Sequence, residues 1–368
     1  MKKNIVICIM CALFIFGLSG CNETPKEVND SSNGVENANG QVNENISSEA
    51  KPDGADSEDI GENGGQEAAV QYIETVKSRY TGVPVSAEAA ESPAYMVIVE
   101  NLRSARPQSG ISKADIVFET LAEGGITRYI ALFQSQKADS IGPVRSTRPY
   151  IQELAASFDL PFAHCGGSMQ ALSEVKKYSL MNINEMWRSS YFYRSKNRRA
   201  PHNLYTSSGK MEKALQNLGY SHDEDFAIGF DDEPTEYERL ENAYEIKVVP
   251  SKYTNSSFKY ADGVYQRYQE GKKDMDMATS SHIGVRNVVV QLTSIVNLND
   301  KEGHVNVKLD GTGSAYVFRD GKVINATWSK DVFRAQTRLY DGSGSEIKLK
   351  SGKTWWYIIG KNSSVEWK

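Results

Sequence analysis

Cysteine is almost absent from this 368-residue chain: there are four, and only Cys165 lies beyond residue 21. A body with one cysteine closes no intramolecular disulfide and offers no paired thiolates for a structural zinc. Histidine is scarce as well, with five residues at no short ligand spacing, and Asp274-Met275-Asp276 alone makes a poor cage. Neither a metal nor another cofactor is expected. Ile5–Leu18 is the one extended apolar run, and it is too short for a comfortable membrane span. No repeat of fixed period occurs. No concentrated basic face occurs either, which sets nucleic acid aside as a partner.

What is present begins with an address. Lys2 and Lys3 precede the apolar run, and Leu18-Ser19-Gly20-Cys21 follows it, which reads as a signal peptide over residues 1–20. A cysteine directly after small residues resembles the lipobox of bacterial lipoproteins, matched here by Leu18, Ser19 and Gly20. The resemblance implies cleavage before Cys21 and lipidation of its sulfur by diacylglycerol, with palmitate-like chains. The membrane is then a partner through a lipid anchor, on its extracytoplasmic face. Residues 22–67 are rich in Asn, Ser, Gly, Asp and Glu and cannot bury a core. As a flexible tether they reach about 40 Å. They carry 12 acidic and 2 basic residues. With the chain at −5, the signal region at +2 and the tether at −10, residues 68–368 are left mildly basic, at +3.

The body reads as an α/β (α+β) domain over 68–230 followed by a mostly antiparallel, β-rich domain over 231–368. Helical spacing at Val70, Ile73, Val76 and Tyr80 suggests an amphipathic lead-in over 68–80. Strands are expected at Met96–Val99, Asp115–Thr120, Thr127–Gln134 and Leu160–His164, the second and third as a hairpin. Helices are expected from Tyr150 to Phe158, from Met169 to Tyr178 and from Ser207 to Leu218. The acidic, Gly- and Pro-broken stretch His222–Glu241 marks the boundary. Beyond it, short β-branched or aromatic runs, including Ile347–Leu349 and Trp355–Ile359, alternate with turns such as Asp262-Gly263 and Asp320-Gly321.

The organising stretch is Ile141–Tyr150, I-G-P-V-R-S-T-R-P-Y. It joins a strand to a helix with Pro149 suited to the first helical position. Arg145 and Arg148, with Ser146 and Thr147, gather donors at a helix start, a natural anion site. The second helix start, Gly167-Ser168, and Arg128, Arg199 and His202 are further members if the chain folds back on itself. The alternative is that these arginines pair with Glu119, Glu123 or Asp115 and knit the domain. Residues 184–203 mix Trp187, Tyr191, Phe192 and Tyr193 with Arg188, Arg194, Lys196, Arg198 and Arg199, a pattern that stacks and binds phosphate or simply packs as a long loop.

Two enzymatic arrangements also fit the residue types. Cys165 beside a Gly-Gly helix start, with His164 or His202 as base, would make a nucleophile. Neighbours on a strand point to opposite faces, however, so His164 and Cys165 would not meet directly. Glu119 and Glu123 would be the carboxylate pair of a glycan hydrolase. An interaction module is the third class, in which Trp328, Trp355, Trp356 and Tyr357 face a cell-wall synthase or lie in the core.

The segments Asn101–Gly110 (N-L-R-S-A-R-P-Q-S-G), Glu123–Arg128, Gly142–Ser146 and Pro201–Tyr205 resemble the YerB-like lipoproteins of Gram-positive bacteria, and the resemblance extends from Tyr265 through Trp356. It implies a lipid-anchored, two-part extracytoplasmic protein built from domains of unknown function, with no catalytic residues to carry over. The expectation is a non-catalytic cell-envelope protein that binds an anionic wall polymer or lipid-linked precursor, or regulates wall machinery.

Overall fold

A strand buried along almost its whole length needs cover on both faces, and three such strands build the centre of this structure. They are Tyr95–Glu100 (β1), Thr127–Phe133 (β3) and, near the other end of the chain, Thr354–Gly360 (β13). The computed structural model describes residues 75–221, 228–233 and 240–368. The signal segment, Cys21 and the tether lie outside the described residues. The other strands of the two large sheets are Ile116–Leu121 (β2), Phe162–His164 (β4), Asn182–Asn184 (β5), Glu245–Ser251 (β6), Thr254–Ala261 (β7), Val264–Gln269 (β8), Asn287–Thr293 (β9), Gly311–Arg319 (β10), Lys322–Lys330 (β11), Arg338–Tyr340 (β12) and Ser364–Trp367 (β14).

Ten of them form one sheet in the order β12-β11-β10-β9-β13-β2-β3-β1-β4-β5. β13 lies between β9 and β2 and runs parallel to both. Its Trp355 and Tyr357 enter one apolar core and its Trp356 and Ile358 the other, so only an interior position covers it. This parallel pairing departs from the antiparallel pattern expected of the second half. The sheet thus runs across residue 230, where a domain boundary was expected from the sequence. The antiparallel hairpins themselves are present. β7–β8 and β10–β11 turn at Asp262-Gly263 and Asp320-Gly321, all four residues at positive φ as a tight two-residue turn requires.

A second sheet, ordered β8-β7-β6-β14 with short strands on its outer edge, covers one face of the first. Its alternating burial is that of a half-exposed antiparallel sheet, as in β6 and β8. Helix Ser208–Leu218 (α3) packs in the same core through Met211, Ala214 and Leu215. Helix Pro149–Ser157 (α1) covers the opposite face through Tyr150, Ile151, Leu154 and Ala155. Pro149 stands in its first turn as expected. Helix Met169–Lys177 (α2) is capped by Ser168, whose hydroxyl accepts from Ala171 N at 3.2 Å, and α3 by Ser207, which accepts from Lys210 N at 3.3 Å.

Two expected elements take other forms. The helical lead-in over 68–80 is, within the described residues, a strand at Thr75–Lys77 paired with Pro84–Ser86. β-branched Thr75 and Val76, with a turn closed by Gly82 N donating to Ser78 O at 2.7 Å, suit a hairpin better than a helix. Ile347–Leu349 is no strand; Leu349 makes a single bridge to Phe230.

Candidate functional site

Strands β1, β2, β4, β5, β9 and β13 share one direction, so their carboxyl ends share one edge. That edge is where open α/β sheets place ligand sites. Glu100 ends β1, Glu123 follows β2, Arg128 is the second residue of the antiparallel β3, and Cys165–Ser168 follow β4. Residues 141–148 cross this edge. Val144 bridges Val99, Arg145 N donates to Ile98 O at 2.9 Å, Cys165 N to Arg145 O at 3.0 Å, and Thr147 bridges Gly167. Gly167 is needed at that crossing, since a Cβ there would stand 2.9 Å from Thr147 Cγ2.

Most of the residues singled out in the sequence therefore meet at one rim, but their charges largely neutralise each other. Arg128 and Arg148 both pair with Glu123, the second at 2.8 Å. Arg128 also donates to Ser146 O at 2.8 Å, and Arg148 to Thr147 O at 2.6 Å. Burial, with Arg148 and Arg145 nearby, lowers Arg128 to about 10 despite Glu123. Arg145 pairs with Glu100 at 2.6 Å. His202 Nδ1 donates to the other oxygen of Glu100 at 2.8 Å, while Ser104 Oγ lies 3.0 Å from its Nε2. Thr147 is fully buried, Ser168 is used as a cap, and Arg199 is exposed. Of the partners proposed for these arginines, Glu123 is the one used. Asp115 instead accepts the backbone N–H groups of Gln134 and Ser135.

Glu119 belongs to a different constellation. It faces the second sheet, where Arg267 Nη2 donates to it at 3.0 Å, and both side chains are wholly buried. Trp355 Nε1 donates to the same oxygen at 3.0 Å; Thr127 Oγ1 and Asn101 Nδ2 donate to the other at 2.7 and 3.2 Å. Arg267 also pairs with Asp274 and sits 4.0 Å above the Trp355 ring centre. Asn101 Oδ1 in turn accepts from Gln108, Gln269 and Arg106, each at 3.0 Å. A buried polar network thus runs from the middle of the two sheets outward to Arg106.

Arg106 opens onto a cleft of about 580 Å³ lined also by Arg103, Gly124, Lys252, Tyr253 and Glu270. Glu270 meets Arg106 at 2.6 Å and Arg103 at 3.4 Å. Arg103 is 82% exposed along its side chain, and Lys252 is exposed over the Tyr253 ring. Three cations face one carboxylate. In the sequence Arg103 and Arg106 read only as polar loop. Their position just after a strand was the available signal, and nothing in the sequence placed Lys252 beside them.

The enzymatic arrangements separate. Cys165 Sγ donates to Glu185 Oε2 at 3.2 Å, and burial followed by this carboxylate pushes the thiol up to about 11, which leaves it protonated. His164 is turned to Gly166 O and Asn182 and stacks on Phe162, and burial lowers its pKa. Glu119 and Glu123 answer to different arginines, in the core and at the rim. Trp328, Trp355, Trp356 and Tyr357 are core residues, so they form no surface patch. Asp274 pairs with Arg267, and Asp276 accepts three backbone N–H groups. Among the described residues Asp300, Glu302 and His304 bring ligand atoms within 4.8 Å of one another. Asp300 already takes the His304 N–H groups of backbone and ring, at 2.9 and 2.6 Å, as a loop cap does.

Residues 80–221 match the N-terminal domain, and residues 244–356 the C-terminal domain, of the protein family of unknown function DUF3048. YerB of Bacillus subtilis, whose name marks it as a lipoprotein, is 31% identical over 302 residues, 80% of this chain and 89% of its own. The chain belongs to the DUF3048 family. The crystal structure of the Bacillus subtilis YerB protein superimposes with a TM-score of 0.71 at 30% identity, covering 79% of this chain and 99% of that one. The two DUF3048 segments leave residues 222–243 between them, a gap that includes the acidic stretch His222–Glu241. Among the described residues no helix is long and apolar enough to cross a membrane.

Proposed function

We propose that this DUF3048 protein is a lipoprotein, anchored through Cys21 to the outer face of the cell membrane, that binds a phosphate-bearing envelope ligand in the cleft at the carboxyl edge of the sheet. The observation that carries the reading is the charge balance there: Arg103, Arg106 and Lys252 against Glu270. Arg106 is held rigid by Asn101 and Glu270, Arg103 and Lys252 reach solvent, and the Tyr253 ring offers a stacking face. The Arg128–Glu123–Arg148 and Arg145–Glu100–His202 groups support the wall of this edge. The short apolar leader, the Leu18–Cys21 motif and the lipoprotein relative support the anchor. The test is binding of a glycerol-phosphate wall polymer, with a neutral glycan as control. Arg103→Ala with Lys252→Ala should weaken phosphate-polymer binding by about a hundredfold or more, since each of the two charge-assisted contacts contributes about 1.5–3 kcal/mol. Equal affinity in a folded double variant ends the proposal.

A further inference from the structure

On the helix-covered face, away from the basic cleft, lies an apolar cavity of about 310 Å³. Its wall includes Phe118, Leu154, Phe158, Leu339, Trp356 and Ile358, with two buried polar groups among them: Ser157, whose hydroxyl donates to Glu153 O at 2.7 Å, and Gln291, 1% exposed. An indole N–H can only donate, so Trp356 Nε1, 3.1 Å from Gln291 Oε1, fixes which end of the amide is oxygen. The other end, Nε2, has no hydrogen-bond partner among the described residues. A buried amide donor left unpaired costs free energy, and an apolar cavity beside it supplies no acceptor. The rim carries Arg338 and Glu346, paired to each other by two hydrogen bonds of 3.0 and 2.8 Å.

We infer that this cavity binds an uncharged acyl group, with the chain packed on the aromatic and aliphatic wall and the carbonyl oxygen accepting from Gln291 Nε2. The size falls at the small end of ligand pockets, with aromatic and aliphatic side chains on the inner wall and a buried donor left unpaired. A free carboxylate suits it poorly: Arg338 is already neutralised, the one further cation of the lining, Lys348, is exposed to solvent, and a second negative charge beside Glu346 is repelled. The site is independent of the basic cleft, so either can fail without the other.

The test uses the chain from residue 21 carrying Cys21→Ala, so that no attached lipid competes. Decanamide is titrated while the Trp356 Nε1 resonance is followed, with decanoate as the charged comparison. Saturable decanamide binding that shifts this resonance is expected, about tenfold weaker in Gln291→Leu, which keeps the bulk and removes the donor. Leu154→Trp, which fills the cavity, should abolish it. Phosphatidylcholine vesicles distinguish the source: cosedimentation lost in Leu154→Trp assigns the acyl group to a membrane lipid, and no such loss assigns it to a soluble amide or ester. No binding of decanamide, equal binding in Gln291→Leu, or decanoate bound as tightly as decanamide overturns the inference.

Discussion

Glu119→Gln is the substitution whose consequence follows most directly from the geometry. The carboxylate accepts from Asn101, Thr127, Arg267 and Trp355 inside a space closed to water. A glutamine turned with its oxygen toward Arg267 and Trp355 points its NH2 at Thr127, whose hydroxyl can accept, and at Asn101 Nδ2, which cannot. Asn101 is itself held, because its own oxygen already serves Arg106, Gln108 and Gln269. Arg267 meanwhile keeps only Asp274 as a counter-charge. Removing one partner of a buried ion pair costs about 3–5 kcal/mol, and the surviving Asp274 places the loss near the lower figure. Against a total stability of about 5–15 kcal/mol this is a large fraction, and the urea midpoint should fall by about 1 M or more at unchanged slope. Arg267→Met should be worse, since Glu119 and Asp274 are then buried together without a cation. Adding Glu119→Gln and Asp274→Asn to Arg267→Met should recover much of that loss. A Glu119→Gln variant within about 0.5 kcal/mol of the parent, with the same slope, refutes the buried-pair argument.

Asp115 is fully buried, and burial raises its carboxyl to about 6 from an ordinary 3.8. The folded state therefore binds this proton more tightly than the unfolded state, and its contribution to stability grows as pH falls from about 6 toward about 4. The parent should gain up to about 3 kcal/mol on Asp115→Asn over that window, read by urea melts at both ends. Cys165 should react slowly with a disulfide reagent at about pH 8. Glu185→Gln, by removing the carboxylate that helps hold the proton, should lower the pH midpoint of labelling, and an unmoved midpoint refutes that role. Gly110 has φ +84, and a Cβ there would lie 2.5 Å from Ser140 O. Gly110→Ala should cost about 1–3 kcal/mol by thermal or urea unfolding.

Much of the local architecture was legible. Ser168 and Ser207 announce their helices because a hydroxyl one position before a helix satisfies a free N–H, a relation confined to a few residues. Asp262-Gly263 and Asp320-Gly321 announce hairpins because the backbone they require is tolerated by so few side chains. The family resemblance carried by Asn101–Gly110 and Pro201–Tyr205 agrees with the DUF3048 matches. The candidate site was half legible. Arg128, Arg145, Arg148 and His202 do gather at one edge, yet their neutralisation by Glu100 and Glu123 depends on strands set side by side. Lys252 reached the cleft unannounced, because a lone exposed lysine has no pattern.

The sequence by itself determined what short-range chemistry decides: the apolar leader with its cysteine, the helix starts and the tight turns. Only the tertiary structure decided that Trp355-Trp356-Tyr357 would lie between strands from both halves, and that Glu119 would meet Arg267 across 148 residues. The reason is one of range. Caps and turns are satisfied within a few residues, whereas covering a strand on both faces and neutralising a buried charge are demands that only distant chain can meet.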